Sequence, residues 1–214
     1  MLEQISPRER HDLLIAWLAI GLAFTLIFTD LTRSFEGVER LQEFVIFFAI
    51  SLITVGIGFV LHEMAHKFCA MRYGFRAEFR KDNQMLLVAV VLAALVGVVF
   101  AAPGATVIQG YAISREQNGW ISAAGPVTNL ILCIPFIGLI VLGGGNIYNL
   151  IFITGLIGFK VNAMIAAFNM LPVSVLDGRK VLAWNPLVFA ALIVAAFVAV
   201  FASFNTSEFL SLLF

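Results

Sequence analysis

The sequence predicts an all-α protein that crosses a membrane several times and forms one domain over residues 1–214. Of the 214 residues, 61% are hydrophobic and only 12% are charged, whereas soluble domains carry about 25% charged residues. Apolar stretches of roughly 20 residues recur along the chain, which is the length that a helix needs to cross the hydrocarbon core. The lipid bilayer is therefore the expected solvent. The net charge is zero, so no basic surface indicates binding to nucleic acid.

The apolar stretches define the predicted helices. About six segments are apolar enough, at residues 13–29, 44–66, 85–102, 120–142, 148–171 and 187–204. Glycine and proline punctuate their ends, as at Pro103-Gly104 and Pro172. The mixed segment at residues 105–118 is different, because Thr106–Ile108 and residues 111–113 flank Gln109-Gly110. This pattern predicts a short β-hairpin.

The distribution of lysine and arginine predicts the orientation. Five of the thirteen basic residues lie between Lys67 and Lys81, and short loops rich in lysine and arginine face the cytoplasm. The N-terminus, one pair of crossings earlier, is then also cytoplasmic. The second apolar segment runs towards the cytoplasm and ends with His62 and His66 near the inner surface, so we expect the active-site opening to be cytoplasmic.

This orientation conflicts with six complete crossings. If every apolar segment crosses, the connector with Asp177, Arg179 and Lys180 lies outside, on the opposite side from His62. We therefore expect the segment at residues 85–102 to be re-entrant or to lie at the surface, which is tolerated where protein or water covers the backbone. The alternative is an ordinary crossing, with the Asp177 segment dipping into the membrane from the other face.

The strongest chemical signal is the run His62-Glu63-Met64-Ala65-His66. Residues i and i+4 of a helix share a face, so both imidazoles can reach one metal ion, and Glu63 beside them can take a proton from water. The alternative is a pair of histidines packed in a helix bundle without metal. Ionisable residues inside a membrane are costly and usually functional, which favours the metal site.

A third ligand is needed, because catalytic zinc takes three protein ligands and keeps one position open. His11 precedes the first apolar segment in a polar stretch, and we interpret it as a surface residue. The acidic residues after His66 are Glu78, Asp82, Glu116, Asp177 and Glu208. Asp177 stands between Leu176 and Gly178 after a helix that Pro172 ends, which makes it the best candidate. Its alternative role is that of a turn residue, since Asp-Gly marks turns.

Two further motifs resemble those of a known family. The run from Asn169 to Gly178 is similar to the NxxPxxxLDG signature of the site-2 proteases, which are intramembrane zinc metalloproteases, and Gly125–Asn129 matches their GPxxN element. The resemblance covers residues 44–184. It implies a core of three helices without a PDZ domain, and one Zn²⁺ per chain bound by His62, His66 and Asp177.

The same resemblance implies roles for other residues. Glu63 would be the catalytic base, and Asn169 would line the active site and stabilise the oxyanion, a task for which a neutral amide is suited. For Gly125, Pro126 and Asn129 we expect a structural role in helix packing. Asn162 lies seven residues before Asn169, and we expect their shared helix face to look towards the zinc.

The predicted function is hydrolysis of peptide bonds in transmembrane substrate proteins by zinc-activated water. One alternative is a membrane transporter or metal-handling protein that uses histidine and aspartate as ion ligands. Another is a catalytically inactive relative. Glu63 argues against both, because a transporter needs no carboxylate beside its first histidine, and an inactive relative would normally have lost it.

Overall fold

The helices follow the apolar pattern of the sequence. We describe a computed structural model of the chain, in which residues 5–29, 38–97, 99, 104–110 and 112–206 are placed well enough to describe. Its helices are α1 (Pro7–Phe28), α2 (Val38–Ser51), α3 (Ile57–Arg72), α4 (Asn83–Val96), α5 (Arg115–Leu142), α6 (Leu150–Asn169), α7 (Asp177–Trp184) and α8 (Pro186–Phe204). A π-helical turn, Leu52–Gly56, joins α2 to α3.

Within the described residues, five helices are long and apolar enough to cross a membrane. These are α1, the continuous helix from Glu39 to Arg72, α5, α6 and α8. Helix α4 has 14 residues, and at 1.5 Å per residue it is about 21 Å long, which is less than the ~30 Å hydrocarbon core. Helix α4 alone is therefore too short to cross, and most of residues 98–102 lies outside the described residues, so the expected re-entrant placement stays a prediction.

The centre of the bundle is formed by α3, α5 and α6. Helix α5 packs along both α3 and α6, and α8 packs mainly on α6. Buried side chains of α5 and α6, together with Ala202 of α8, form the largest apolar cluster of the described residues, which includes Phe136, Ile140 and Phe159. The three-helix core that the family resemblance implied is thus present, and each of its helices carries part of one predicted motif.

The β-structure is a two-stranded antiparallel sheet with an unexpected partner. Strand β2 (Gly104–Gln109) pairs with β1 (Arg76–Lys81), and Phe79 lies opposite Thr106. The predicted strand near residue 105 is confirmed, but its predicted pairing with residues 111–113 is wrong. Ala112 has a positive φ of 53° and Tyr111 lies outside the described residues. The basic connector after α3, for which the sequence predicted no strand, supplies the second strand.

Helix α1 covers the sheet and the start of α4. It begins earlier than the apolar pattern predicts, because the hydroxyl of Ser6 accepts a hydrogen bond from the amide of Glu9 and Pro7 occupies the first helical position. Along its length it packs on the π-helical turn, where the indole Nε1 of Trp17 donates to the carbonyl of Leu52 at 3.0 Å. Helix α1 therefore connects the sheet at one end to the α2–α3 junction further along.

Candidate metal centre and catalytic site

Three predicted side chains meet at one point between α3 and α7. The Nε2 atoms of His62 and His66 are 3.0 Å apart. The Oδ2 atom of Asp177 lies 3.5 Å from the first and 3.2 Å from the second. All three side chains are buried. Within the described residues they form the single group of histidine, cysteine or acidic side chains that could hold a metal ion.

The tautomers of the two histidines leave both Nε2 atoms free. Nδ1 of His62 lies 2.6 Å from Oδ1 of Asn129, and Nδ1 of His66 lies 2.7 Å from the carbonyl oxygen of Ile121. Both partners are acceptors, so each Nδ1 carries a proton, and in the neutral imidazole Nε2 is then the unprotonated nitrogen. The two Nε2 lone pairs and the carboxylate of Asp177 then face one another with no hydrogen-bond donor between them. A cation placed among them would bind all three.

The spacing of these atoms fits a tetrahedral metal ion. Zinc bonds histidine nitrogen and carboxylate oxygen at about 2.0–2.2 Å, which places two tetrahedral ligand atoms about 3.3 Å apart. The three separations between Nε2 of His62, Nε2 of His66 and Oδ2 of Asp177 are 3.0, 3.5 and 3.2 Å. Three ligands also leave the fourth position open, as in catalytic zinc sites. The donor set therefore fits zinc in type, number and spacing.

The backbone after α6 brings Asp177 to the histidines. Helix α6 ends at Asn169, and Pro172 cannot continue it. The chain turns back and Asp177 becomes the first residue of α7. Gly178 makes this return possible, because a Cβ atom there would lie 2.0 Å from the carbonyl oxygen of Met170.

The surroundings of Asp177 keep it ionised. The carboxyl group is buried, and an opposite charge within about 4 Å favours its charged form. Its second oxygen, Oδ1, lies 3.6 Å from the Nζ atom of Lys180. The side chain is therefore an anion that offers Oδ2 to the metal position.

Glu63 lies one residue after the first histidine and is held by strand β2. Its Oε2 atom accepts hydrogen bonds from the amide and the hydroxyl of Thr106, both at 2.9 Å. The side chain is 8% exposed, so water that reaches it must enter a nearly closed site. Sequence reasoning missed Thr106, because nothing local in a Gly-Ala-Thr-Val strand indicates a contact with α3.

Asn129 and Asn162 extend the site into α5 and α6. The Nδ2 atom of Asn129 donates to the carbonyl of Gly58 at 3.2 Å and to Oδ1 of Asn162 at 2.9 Å. Asn162 in turn donates to the carbonyl of Gly158. Both amides are fully buried. The expected structural role of Asn129 thus includes direct contact with His62. Asn162 belongs to the same network, and the shared face that we expected for Asn162 and Asn169 stays a prediction.

Gly125 allows α5 to approach the metal centre. A Cβ atom at this position would lie 2.5 Å from both Cε1 of His62 and Nε2 of His66. Such distances are shorter than van der Waals contact, so any larger residue would displace the imidazoles. The glycine of the GPxxN element therefore sets the distance between α5 and α3.

The remaining candidates have hydrogen bonds or positions of their own. Asn169, the last residue of α6, donates from Nδ2 to the carbonyl of Ile165 on its own helix at 3.0 Å. The side chain of His11 is 67% exposed, as expected for a surface residue. The other acidic residues have local roles: Glu78 accepts from Ser6, Asp82 caps α4 and Glu116 lies in the first turn of α5. Glu208 is outside the described residues.

Comparison with known proteins agrees with this site. Residues 50–150 match the model of peptidase family M50. A protein of Methanocaldococcus jannaschii that carries the name of a zinc metalloprotease is 38% identical over 188 residues, which cover 87% of this chain and 90% of the relative. Rip2 of Mycolicibacterium smegmatis, also named as a zinc metalloprotease, is 28% identical over 193 residues, covering 82% and 70% of the two chains. No solved structure gives a significant match.

The membrane-spanning helices and the buried His-His-Asp group beside a glutamate define a membrane-embedded metalloprotease. The extent of the similarity identifies its family, and the chain belongs to peptidase family M50. The predicted class of intramembrane zinc metalloprotease is thereby confirmed, and none of the relatives supports the transporter alternative.

Proposed function

We propose that this chain binds one zinc ion through His62, His66 and Asp177 and cleaves peptide bonds within transmembrane segments of other membrane proteins. The observation that carries the proposal is the meeting of two histidine Nε2 atoms, whose Nδ1 atoms face acceptors, and one carboxylate oxygen, all buried, at the separations that tetrahedral zinc requires. The names of the relatives, zinc metalloproteases, support the choice of metal.

The chemistry is divided between the ion and the residues around it. When bound, zinc acts as a Lewis acid that lowers the pKa of water from 15.7 to about 7. Glu63 is the proposed general base, and it accepts a proton from the attacking water and passes it to the leaving amine. Asn129 and the carbonyl of Ile121 keep the two imidazoles in the tautomer and orientation that a metal ligand needs.

Asn169 is the proposed donor to the oxyanion. Its amide is partly buried at the end of α6, where the chain begins its return towards Asp177. The present partner of its Nδ2 atom is the carbonyl of Ile165, a residue four positions earlier on the same helix. A rotation about its side-chain bonds would therefore suffice to release this donor for a substrate carbonyl, without a change in the backbone.

The proposed substrates are helices in the bilayer. The metal position lies against the spanning helices α3 and α5, which supports access of a scissile bond from within the membrane. A helical carbonyl is already hydrogen-bonded, and the substrate must therefore unwind locally before its bond is exposed. We propose that the functional unit is the single membrane domain of residues 1–214.

We propose that the site opens to the cytoplasm. Basic residues follow the ligands on two separate segments, with Lys67 and Arg72 after His66 in α3, and Arg179 and Lys180 after Asp177 in α7. Both groups favour the cytoplasmic side. Labelling of an Arg179→Cys variant, made after replacement of Cys69 and Cys133 by Ala, with a membrane-impermeant thiol reagent is expected in inverted vesicles only. Labelling from outside right-side-out vesicles would contradict this orientation.

Cleavage of a transmembrane reporter by the purified protein in lipid tests the activity directly. We expect cleavage to stop when a chelator removes the metal and to return when zinc is added. The Glu63→Gln variant should bind zinc as the wild type does and lose at least about a hundredfold in rate, since general base catalysis contributes 10²–10⁴-fold. Full activity in this variant would refute the role of Glu63, and cleavage that resists chelation would refute the metal.

A further inference from the structure

A contact chain, that is, a series of residues each touching the next, begins on α3 at Glu63 and ends on the same helix one turn later at Lys67. It runs from Glu63 to Thr106 on β2, across the sheet to Phe79 on β1, and then to Glu9 on α1. From Glu9 it returns to α3 at Lys67. The proposed chemistry uses only Glu63, so the other four residues of this contact chain have no assigned role.

The contact of Thr106 fixes the carboxylate of Glu63. Its amide and its hydroxyl both lie 2.9 Å from Oε2, and the hydroxyl is also 3.0 Å from the main-chain carbonyl of Glu63. Donors to a carboxylate form strong hydrogen bonds because the acceptor is charged. Two donors on Oε2 restrict the rotation of the side chain and leave Oε1 as the oxygen that accepts a proton.

The sheet holds Thr106 from the other side through Phe79. These two residues lie opposite each other in the antiparallel register. The amide of Phe79 donates to Oε1 of Glu9 at 3.0 Å, whereas that of Thr106 donates to Glu63. Both amides therefore point away from the partner strand, as in a non-hydrogen-bonded pair. Each amide of this cross-strand pair is thus bound by a carboxylate, that of Phe79 by Glu9 and that of Thr106 by Glu63.

The buried ion pair of Lys67 and Glu9 closes the chain of contacts. The Nζ atom of Lys67 contacts Oε2 of Glu9, and the two side chains are 1% and 0% exposed. Lys67 follows Glu63 by four residues, so the two lie on one face of α3. The position of the sheet relative to Glu63 is thereby fixed by a contact made on the same helix.

We propose that Thr106 is a positioning residue for Glu63, and that the Lys67–Glu9 pair keeps Thr106 in place through the Phe79–Thr106 cross-strand pair. The inference rests on the proposed function, in which Glu63 is the general base. A carboxylate free to rotate spends less time where it can take the proton of the attacking water, so loss of this contact slows the chemical step and leaves substrate binding unchanged.

Substitution of the Thr106 side chain tests the first part. Thr106→Val keeps the shape but removes the hydroxyl, and we expect kcat for cleavage of a transmembrane reporter to fall about tenfold with KM within about twofold. Thr106→Ser keeps the hydroxyl and should restore kcat to within about twofold of wild type. Val107→Ala, on the exposed face of the same strand, is the matched control and should change neither constant.

Other outcomes of this experiment overturn the role of Thr106. An unchanged kcat in Thr106→Val, a change confined to KM, or a Thr106→Ser variant as slow as Thr106→Val would each contradict positioning by the hydroxyl. The Glu63→Gln variant separates the positioning role of Thr106 from the proposed function of Glu63 as general base. If it is inactive while Thr106→Val has full activity, only the positioning role fails, and if it is active, the proposed function itself fails.

Amide hydrogen exchange tests the second part without relying on activity. In the double variant Glu9→Leu/Lys67→Met, apolar groups of similar size replace both charges, so neither is left unpaired. We expect residues 104–109 to exchange at least about tenfold faster than in wild type, while the zinc content stays at one per chain. Arg80→Met, which removes a partly exposed partner of Glu78, is the control and should leave exchange unchanged. Wild-type exchange in the double variant would refute the link.

Discussion

Oδ1 of Asn129 on α5 lies 2.6 Å from Nδ1 of His62 on α3. This acceptor keeps a proton on Nδ1 of His62, so that Nε2 is the nitrogen available to a metal ion. The amide nitrogen of Asn129 donates to Asn162 and to the carbonyl of Gly58. Because both of these partners accept hydrogen bonds, the amide nitrogen of Asn129 must face them, and its amide oxygen then faces His62. The metal centre is therefore held by α3, α5 and α6 together, although only α3 among them supplies a ligand.

The first prediction concerns this contact. Asn129→Leu keeps the volume but removes the acceptor for His62, and we expect zinc affinity to fall about 10–100-fold, as is typical when a partner of a metal-ligating histidine is lost. Competition with a chromogenic chelator measures the change. Asn205→Leu is the control, since that side chain donates only within its own helix end. An affinity equal to that of wild type in Asn129→Leu would mean that His62 is oriented by other contacts.

The second prediction compares two glycines of α5. Gly125→Ala places a methyl group 2.5 Å from atoms of both histidines, whereas the Cβ atom of Gly138→Ala has no atom within 4 Å. We expect Gly125→Ala to lose most of its bound zinc and its proteolysis, because the imidazoles cannot stay in place. Gly138→Ala should keep both and gain up to about 1 kcal/mol from helix propensity. Metal analysis and thermal unfolding in detergent check the pair, and equal zinc contents would contradict the prediction.

The third prediction concerns the return of the chain to the site. In Gly178→Ala the new Cβ would lie 2.0 Å from the carbonyl oxygen of Met170, so the start of α7 must shift. Asp177 should move away from the histidines, and zinc affinity should fall more than about tenfold. Lys180→Ala, on the same helix, should change affinity less than about fivefold because a partly exposed ion pair contributes at most about 1 kcal/mol. A larger effect at Lys180 than at Gly178 would reverse this ranking.

The fourth prediction separates a buried ion pair from an exposed one. Lys67→Met leaves Glu9 charged and without its ion-pair partner in the interior, and we expect the free energy of unfolding to fall by about 3–5 kcal/mol. Arg80→Met breaks the pair with Glu78, whose side chains are 33% and 25% exposed, and should cost less than about 1 kcal/mol. Titration with denaturant in mixed micelles measures both variants.

A double variant completes this comparison. Glu9→Leu added to Lys67→Met removes the unpaired charge, so most of the lost stability should return, since well-packed apolar residues can replace a buried pair. If the double variant is less stable than Lys67→Met alone, the cost lies in the lost contact with the amide of Phe79 and not in the unpaired carboxylate.

The sheet shows why some features were out of reach of sequence reasoning. Strand β1 reads Arg-Ala-Glu-Phe-Arg-Lys, in which polar and apolar residues alternate only briefly and four of six residues are charged, so it looks like a charged connector. Its one fully buried side chain, Phe79, gives too little signal. Strand β2 was found, but its partner precedes α4, and no turn motif joins strands that are separated by a helix. The contact of Thr106 with Glu63 could not be predicted without that register.

Local chemistry in the chain was enough to identify the spanning helices and the pair His62 and His66, because hydrophobic length and helical periodicity are properties of neighbouring residues. Asp177 was predicted as a ligand by comparison with the other acidic residues after His66 and by the motif around it. The folded bundle alone decided that Asn129 frees Nε2 of His62, that Gly125 lets α5 approach, and that Thr106 holds Glu63. Each of these contacts joins residues more than 40 positions apart, and such distances along the chain are closed only when the helices and the sheet pack together.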